Sequence, residues 1–162
     1  MDIIIDGYNL IRQVPALLNI ESRTLEAGRE ALLDRLFLYK CGRGDEITVI
    51  FDGPGNRSYF ARGGIRVQFA PSADTAVIAR AAPGTLVVSS DLEVQAGAGR
   101  RGAQVQGSVQ FWQRVRAAIE RRRYRQPQRP RPASYGTWDK AYWDGDCEEE
   151  NYRKGKRRRR RR

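Results

Sequence analysis

The chain contains no histidine. Without an imidazole there is no His general acid or base, no Ser-His-Asp or Cys-His hydrolytic set, and no histidine zinc site of the usual kind. Any enzymatic chemistry must fall to carboxylates. Cysteine is scarce too: Cys41 and Cys147 are the two present and lie far apart in sequence, so neither a disulfide framework nor a zinc knuckle is expected, and both thiols are expected to be free. Long apolar runs are missing. None approaches the roughly 18 residues of a membrane helix, and the chain opens on Asp2-Ile3-Ile4-Ile5-Asp6 instead of a charged leader. A cytoplasmic location with no membrane partner is the expectation.

What is present is unevenly spread. A length of 162 residues suits one domain with a real core plus an appendage. Over residues 1–120, 14 Lys and Arg stand against 13 Asp and Glu, a balance of +1, whereas residues 121–162 carry 16 against 6, a balance of +10. The division expected is a nearly neutral domain over 1–123 and a basic tail over 124–162. The tail runs from Pro127-Gln128-Arg129-Pro130-Arg131-Pro132 through an aromatic and acidic patch between Tyr135 and Tyr152 to an unbroken arginine run. Such composition buries too little apolar surface to offset its ordering entropy, so disorder is expected. Arg157, Arg158, Arg159, Arg160, Arg161 and Arg162 are expected to bind RNA phosphates by counterion release, with little sequence preference. Trp138, Tyr142 and Trp143 could dock on the domain or stack on bases.

Within the domain, short apolar runs alternate with amphipathic stretches, the pattern of a parallel sheet covered by helices. Strands are expected at Asp2 to Ile5, Ile47 to Phe51, Ile65 to Phe69, Leu86 to Ser89 and Ala103 to Gln106. All but the last are nearly continuous in apolar character, as strands buried on both faces should be. Leu25, Leu32, Leu33, Leu36, Phe37 and Tyr39 recur at helical spacing between the first two strands, with Ser22 or Thr24 to cap and Gly42 to stop. Further helices are expected from Ser72 to Ala82, ended by Pro83-Gly84, and from Ser108 through Ile119.

In an open parallel α/β sheet, ligands bind beyond the carboxyl ends of the strands. Asp6 ends the first strand, Asp52 ends the second, Asp74 falls in the first turn of the helix after the third, and Asp91 follows the fourth. Each has a bland explanation. Asp74 could complement a helix dipole, Asp91 could be an N-cap, and Asp52 in Asp52-Gly53-Pro54-Gly55 and Asp6 before Gly7 could be turn residues. Those explanations do not account for four acids on one rim. Clustered carboxylates repel and raise one another's pKa, so such a cluster normally holds a cation. An oxygen-only donor set favours Mg2+ or Mn2+, ions suited to phosphodiester hydrolysis.

Asp6-Gly7-Tyr8-Asn9, then Phe51-Asp52-Gly53, then Ala73-Asp74 opening a helix, then Val87-Val88-Ser89-Ser90-Asp91, resembles the NYN domains of the PIN-like nuclease superfamily, and more narrowly their YacP-like branch. The resemblance spans roughly residues 1–120. It implies a Rossmann-like three-layer α/β/α sandwich with a mainly parallel sheet. It also implies endoribonuclease activity with Mg2+ or Mn2+ and, for this branch, action on ribosome-associated messenger RNA. Asp6 and Asp91 then correspond to core metal ligands, Asp74 to the acidic residue that opens the helix after the third strand, Asp52 to the second-strand acid, and Asn9 and Ser89 to polar positions supporting the rim. With all of these on one rim, Asp6, Asp74 and Asp91 are expected to hold the metal jointly, and Ser90 is expected to support the rim beside Ser89. The chain departs from the family in a short segment from Gly53 to Gly64 and in trimmed helices after the second and third strands, and the resemblance does not cover the arginine tail.

Two other signals are weighed. Gly97-Ala98-Gly99-Arg100-Arg101-Gly102 fits GxGxxG by letter, but it precedes a strand, the wrong context for a dinucleotide site. A flexible basic loop whose Arg100 and Arg101 touch RNA phosphate is the expectation instead. A phosphoaspartyl transferase would need an acid two residues after Asp6, and Tyr8 stands there. Two functions compete with metal-dependent cleavage: a non-catalytic RNA-binding or ribosome-associated module using the tail, and a structural partner assembling through the aromatic patch.

Overall fold

Ile3, Ile4 and Ile5 are all buried, and this unbroken apolar run forms the centre of the sheet. Strand β1 (Asp2–Asp6) lies between β2 (Glu46–Asp52) and β5 (Thr85–Val88), parallel to both. The computed structural model describes residues 1–55 and 57–125. The expectations for the tail, including Trp138, Tyr142, Trp143 and Arg157 to Arg162, lie outside the described residues.

The sheet order is β3-β4-β2-β1-β5-β6, with β4 (Ile65–Ala70) and β6 (Gln104–Gln106) also parallel and β3 (Arg57–Ala61) antiparallel to β4. Successive side chains alternate between faces. Ile3, Ile5, Ile47, Val49 and Phe51 join the core under four helices: α1 (Gly7–Gln13), α2 (Pro15–Glu21), α3 (Leu25–Lys40) and α6 (Ser108–Arg125). Ile4, Ile50 and Val87 face a thinner core with α4 (Ala73–Arg80) and α5 (Leu92–Arg100). The result is the expected three-layer α/β/α sandwich, and among the described residues no helix is long and apolar enough to cross a membrane.

Three helices and one strand differ from the sequence expectation. Helices α1 and α2 are seven residues each, too short for a clear period. They are separate because Pro15 forces Val14 into an extended conformation (φ −115°, ψ 105°), ending one helix while Pro15 opens the next. The stretch expected to be a flexible basic loop is mostly helix α5: Gly97 lies where a Cβ would come 2.7 Å from Ile78 Cδ1, so this glycine serves close packing of α5 on α4. Strand β3 was hidden because Arg57-Ser58-Tyr59-Phe60 has no apolar alternation; it is an exposed edge.

The free-thiol expectation fails for Cys41, which is disulfide-bonded. Cys147 lies outside the described residues.

A candidate acidic active site at the carboxyl ends of the strands

Connections from β1 run to β2 and β4 on one side and later return to β5 and β6 on the other, so the strand order reverses between β1 and β5. A crevice opens at such a reversal, beyond the carboxyl ends of the two strands. Asp6 closes β1 at this point, and Ser89-Ser90-Asp91 follows β5. Asp6 and Asp52 are in phase with Ile4 and Ile50, so both belong to the α4/α5 side of the sheet. Gly7 lets α1 start directly against β2: a Cβ there would overlap the Phe51 ring.

Asp6 is the buried member, 4% exposed. Its Oδ1 accepts from the Asn9 backbone N–H at 3.2 Å, capping α1, and its Oδ2 accepts from Ser89 Oγ at 3.3 Å. Burial pushes its pKa up to about 6 from 3.8, opposed by the Asn9 N–H; the charges of Asp74 and Asp52 raise it further, and the Ser89 hydroxyl lowers it. Asp74, in the first turn of α4, is also raised. Partial desolvation is the main cause, followed by the charges of Asp91, Asp52 and Glu93.

Two of the acids have backbone partners of their own: Asp91 serves as the N-cap the sequence allowed, and Asp52 makes a tie between elements that it did not show. Asp52 Oδ1 accepts from the Ala73 N–H at 2.8 Å, tying the end of β2 to the start of α4 and so fixing where Asp74 stands. Asp91 caps α5, its Oδ1 accepting from Glu93 N–H at 2.8 Å and Val94 N–H at 3.1 Å. Neither contact uses the second carboxylate oxygen. Asp6 thus feels the charges of Asp74 and Asp52, Asp74 feels those of Asp91, Asp52 and Glu93, and none of the four rim acids joins a salt bridge among the described residues. In the conformation observed, no group of three or more acids among the described residues is arranged to hold a metal ion.

The supporting residues form a network behind the rim. Ser89 Oγ donates to Asp6 and accepts from the Asp91 N–H at 3.1 Å, linking two of the acids through one hydroxyl. Asn9 Oδ1 accepts from the Ser90 N–H at 2.9 Å and from Ser108 Oγ at 2.8 Å, while Ser90 Oγ accepts from the Ser108 N–H at 3.0 Å. Asn9, Ser90 and Ser108 therefore pin α1, the β5–α5 loop and α6 together. Ser108 was read from the sequence only as a helix start; its complete burial is a tertiary fact with no local signal. Glu93 was also missed, although its position two residues after Asp91 was visible. Arg29 Nη1 donates to Tyr8 Oη at 2.8 Å, placing a cation near the start of α1.

Arg100 and Arg101 are not at this rim. They stand at the far end of α5, opposite its Asp91 cap, and Arg101 donates to the carbonyls of Ala81 (2.9 Å) and Ala79 (3.1 Å). Arg101 thereby fastens the end of α5 to that of α4.

An α/β/α sandwich with acids at the carboxyl ends of its parallel strands is the plan of a PIN-like domain of the ribonuclease type. The chain belongs to the YacP-like NYN domain family, whose profile matches residues 3–150, past the boundary expected at 123 and short of the terminal arginines. Crystal structures of Rae1 (YacP) from Bacillus subtilis are similar. One matches at 25% identity over 77% of this chain and 78% of that one, with a TM-score of 0.65. A single-substitution variant matches at 25% identity over 76% and 79%, with a TM-score of 0.66. No curated protein matches.

Proposed function

We propose that the chain is a divalent-metal-dependent endoribonuclease that hydrolyses RNA phosphodiester bonds, with ribosome-associated messenger RNA as its substrate class. One observation carries the reading: Asp6, buried at the end of the central strand, and Asp74 are both raised in pKa, in part by the charges of neighbouring rim acids, and no salt bridge among the described residues neutralises them. A fold keeps uncompensated repulsion of this kind when a ligand relieves it.

The donor set fits Mg2+ or Mn2+, being all oxygen and carrying several charges. Asp6, Asp74 and Asp91 would hold the ion. When bound, it supplies charge neutralisation at the phosphodiester and activation of water for attack. Ser89, bonded to Asp6 and followed by the Asp91 N–H, holds two of these carboxylates in register. Asp52, already engaged by α4, positions Asp74 and orients water or substrate.

A second reading is favoured by the absence, among the described residues, of any three acids arranged for an ion. In it the rim is a docking surface, and the arginine tail supplies RNA affinity without cleavage. Labelled RNA incubated with the purified chain in Mn2+ or Mg2+, with and without chelator and with and without ribosomes, separates the two. Chelator-sensitive cleavage that disappears in Asp6→Asn supports the nuclease; binding without cleavage under every condition supports the module.

A further inference from the structure

On the side of the sheet that carries the acids, α4 packs over β1, β2 and β4. Beyond it lies the edge strand of the sheet, β3. Arg57, Ser58, Tyr59 and Phe60 of β3 are all exposed, Phe60 at 67%. A single exposed phenylalanine is ordinary on a protein surface; the surroundings of Phe60 are not.

That setting is specific in register and in charge. Ser58 pairs with Gln68 and Phe60 with Arg66 across the β3–β4 ladder, and both pairs are in phase with Ala70, the partner of Asp52. These side chains therefore share the face of Asp52. Arg66 lies about four strand positions below Ala70, about 13 Å along the strand from the acidic rim. The Arg66 guanidinium sits 5.0 Å from the Phe60 ring centroid, and Arg80 at the end of α4 donates through Nε to Gln68 Oε1 at 2.9 Å. Neither arginine is ion-paired among the described residues. From residue 53 to 73 the sequence has no acidic residue and has Arg57, Arg62 and Arg66. An exposed ring flanked by unpaired guanidinium groups, beside a rim that itself repels polyanions, is the combination by which proteins hold single-stranded nucleic acid: stacking for a base and cations for its phosphates.

We propose that Phe60, Arg66 and Arg80 form a single-stranded RNA subsite, in which one base stacks on the Phe60–Arg66 pair and the adjoining phosphates lie on Arg66 and Arg80. Its place in catalysis rests on the nuclease reading of the rim; its binding chemistry does not. The strip leads a strand toward Asp52 and Asp74 and keeps the phosphate backbone on positive ground until it reaches the acids.

The test uses the full chain with chelator, so that nothing is cleaved, and a single-stranded RNA oligonucleotide carrying 2-aminopurine at successive positions. Fluorescence anisotropy gives affinity across a salt series, and 2-aminopurine quenching gives stacking. Phe60→Ala should weaken binding about 5-fold or more and remove quenching at one position, and Phe60→Trp should restore both. Arg66→Ala should lower the log–log salt slope by about 0.7. Unchanged affinity and quenching in Phe60→Ala overturns the subsite, as does wild-type chain that binds no RNA. A wild-type dimer that Phe60→Ala converts to monomer, with RNA affinity unaltered, overturns it in favour of edge pairing between two copies. Failure of the nuclease reading would show separately, as absent cleavage in metal with the Phe60 effects intact.

Discussion

Asp6 is buried as an acid whose ionisation the fold resists. Its pKa of about 6 in the folded chain lies above the 3.8 of an unfolded one, so its favourable contribution is complete below about pH 4 and is lost as pH rises through 6. At neutral pH the native state carries a cost of about 3 kcal/mol for the ionised group. Asp6→Asn should therefore be more stable than wild type at pH 7.5 in chelator, with the difference closing near pH 4; urea unfolding at both pH values measures it. A difference that does not depend on pH would mean that ionised Asp6 is not the source of the strain. Asp52→Asn keeps an oxygen for the Ala73 N–H, so it should fold normally and lose about 10 to 100-fold in cleavage, less than Asp6→Asn. Equal and complete loss in both variants would make Asp52 a direct ligand.

At the scale of elements, the rim depends on helices meeting through Asn9. Its Oδ1 serves Ser90 of the β5–α5 loop and Ser108 of α6, while its own N–H caps α1 on Asp6. Asn9→Ala leaves the Ser90 N–H and the Ser108 hydroxyl without that acceptor, which should cost about 1 to 3 kcal/mol. Thermal or denaturant unfolding gives that number, and a cost below about 0.5 kcal/mol would show that water replaces the amide. The α4–α5 pair is held differently, by close approach. Gly97→Val would force Ile78 outward and should cost about 1 to 3 kcal/mol by overpacking, checked by the same unfolding curves.

For the whole molecule, the net positive charge lies in the last quarter of the chain, away from the proposed ligands. Deleting residues 157–162 removes six arginines and none of the proposed ligands. RNA binding should weaken and its log–log salt slope should fall by up to about 4, while turnover at saturating RNA stays close to that of the full chain. Binding across a salt series, paired with cleavage at high RNA concentration, tests both halves. An unchanged slope would take the terminal run out of the binding account.

Much of this was decided locally. Ile3-Ile4-Ile5 reads as a strand buried on both faces, and the Leu32, Leu36 and Phe37 spacing reads as an amphipathic helix capped at Ser22 or Thr24, of which the structure uses Thr24. With strands and helices in alternation, the carboxyl-end rule then brings Asp6, Asp52, Asp74 and Asp91 to one rim. The local signals failed where structure is short or exposed, at α1, α2 and β3, because seven helical residues or one edge strand carry too little apolar periodicity to stand out. They failed again where one residue can serve two ends: Asp6 and Asp91 are both rim acids and helix caps, which spacing cannot tell apart. The sequence by itself determined which carboxylates share an edge, because strand direction and period fix that. Only the tertiary structure decided that Asp6 is the buried one, that Ser108 is a hidden support of Asn9 and Ser90 and that Phe60 and Arg66 face the same way as Asp52, because burial and register depend on residues far apart in the chain.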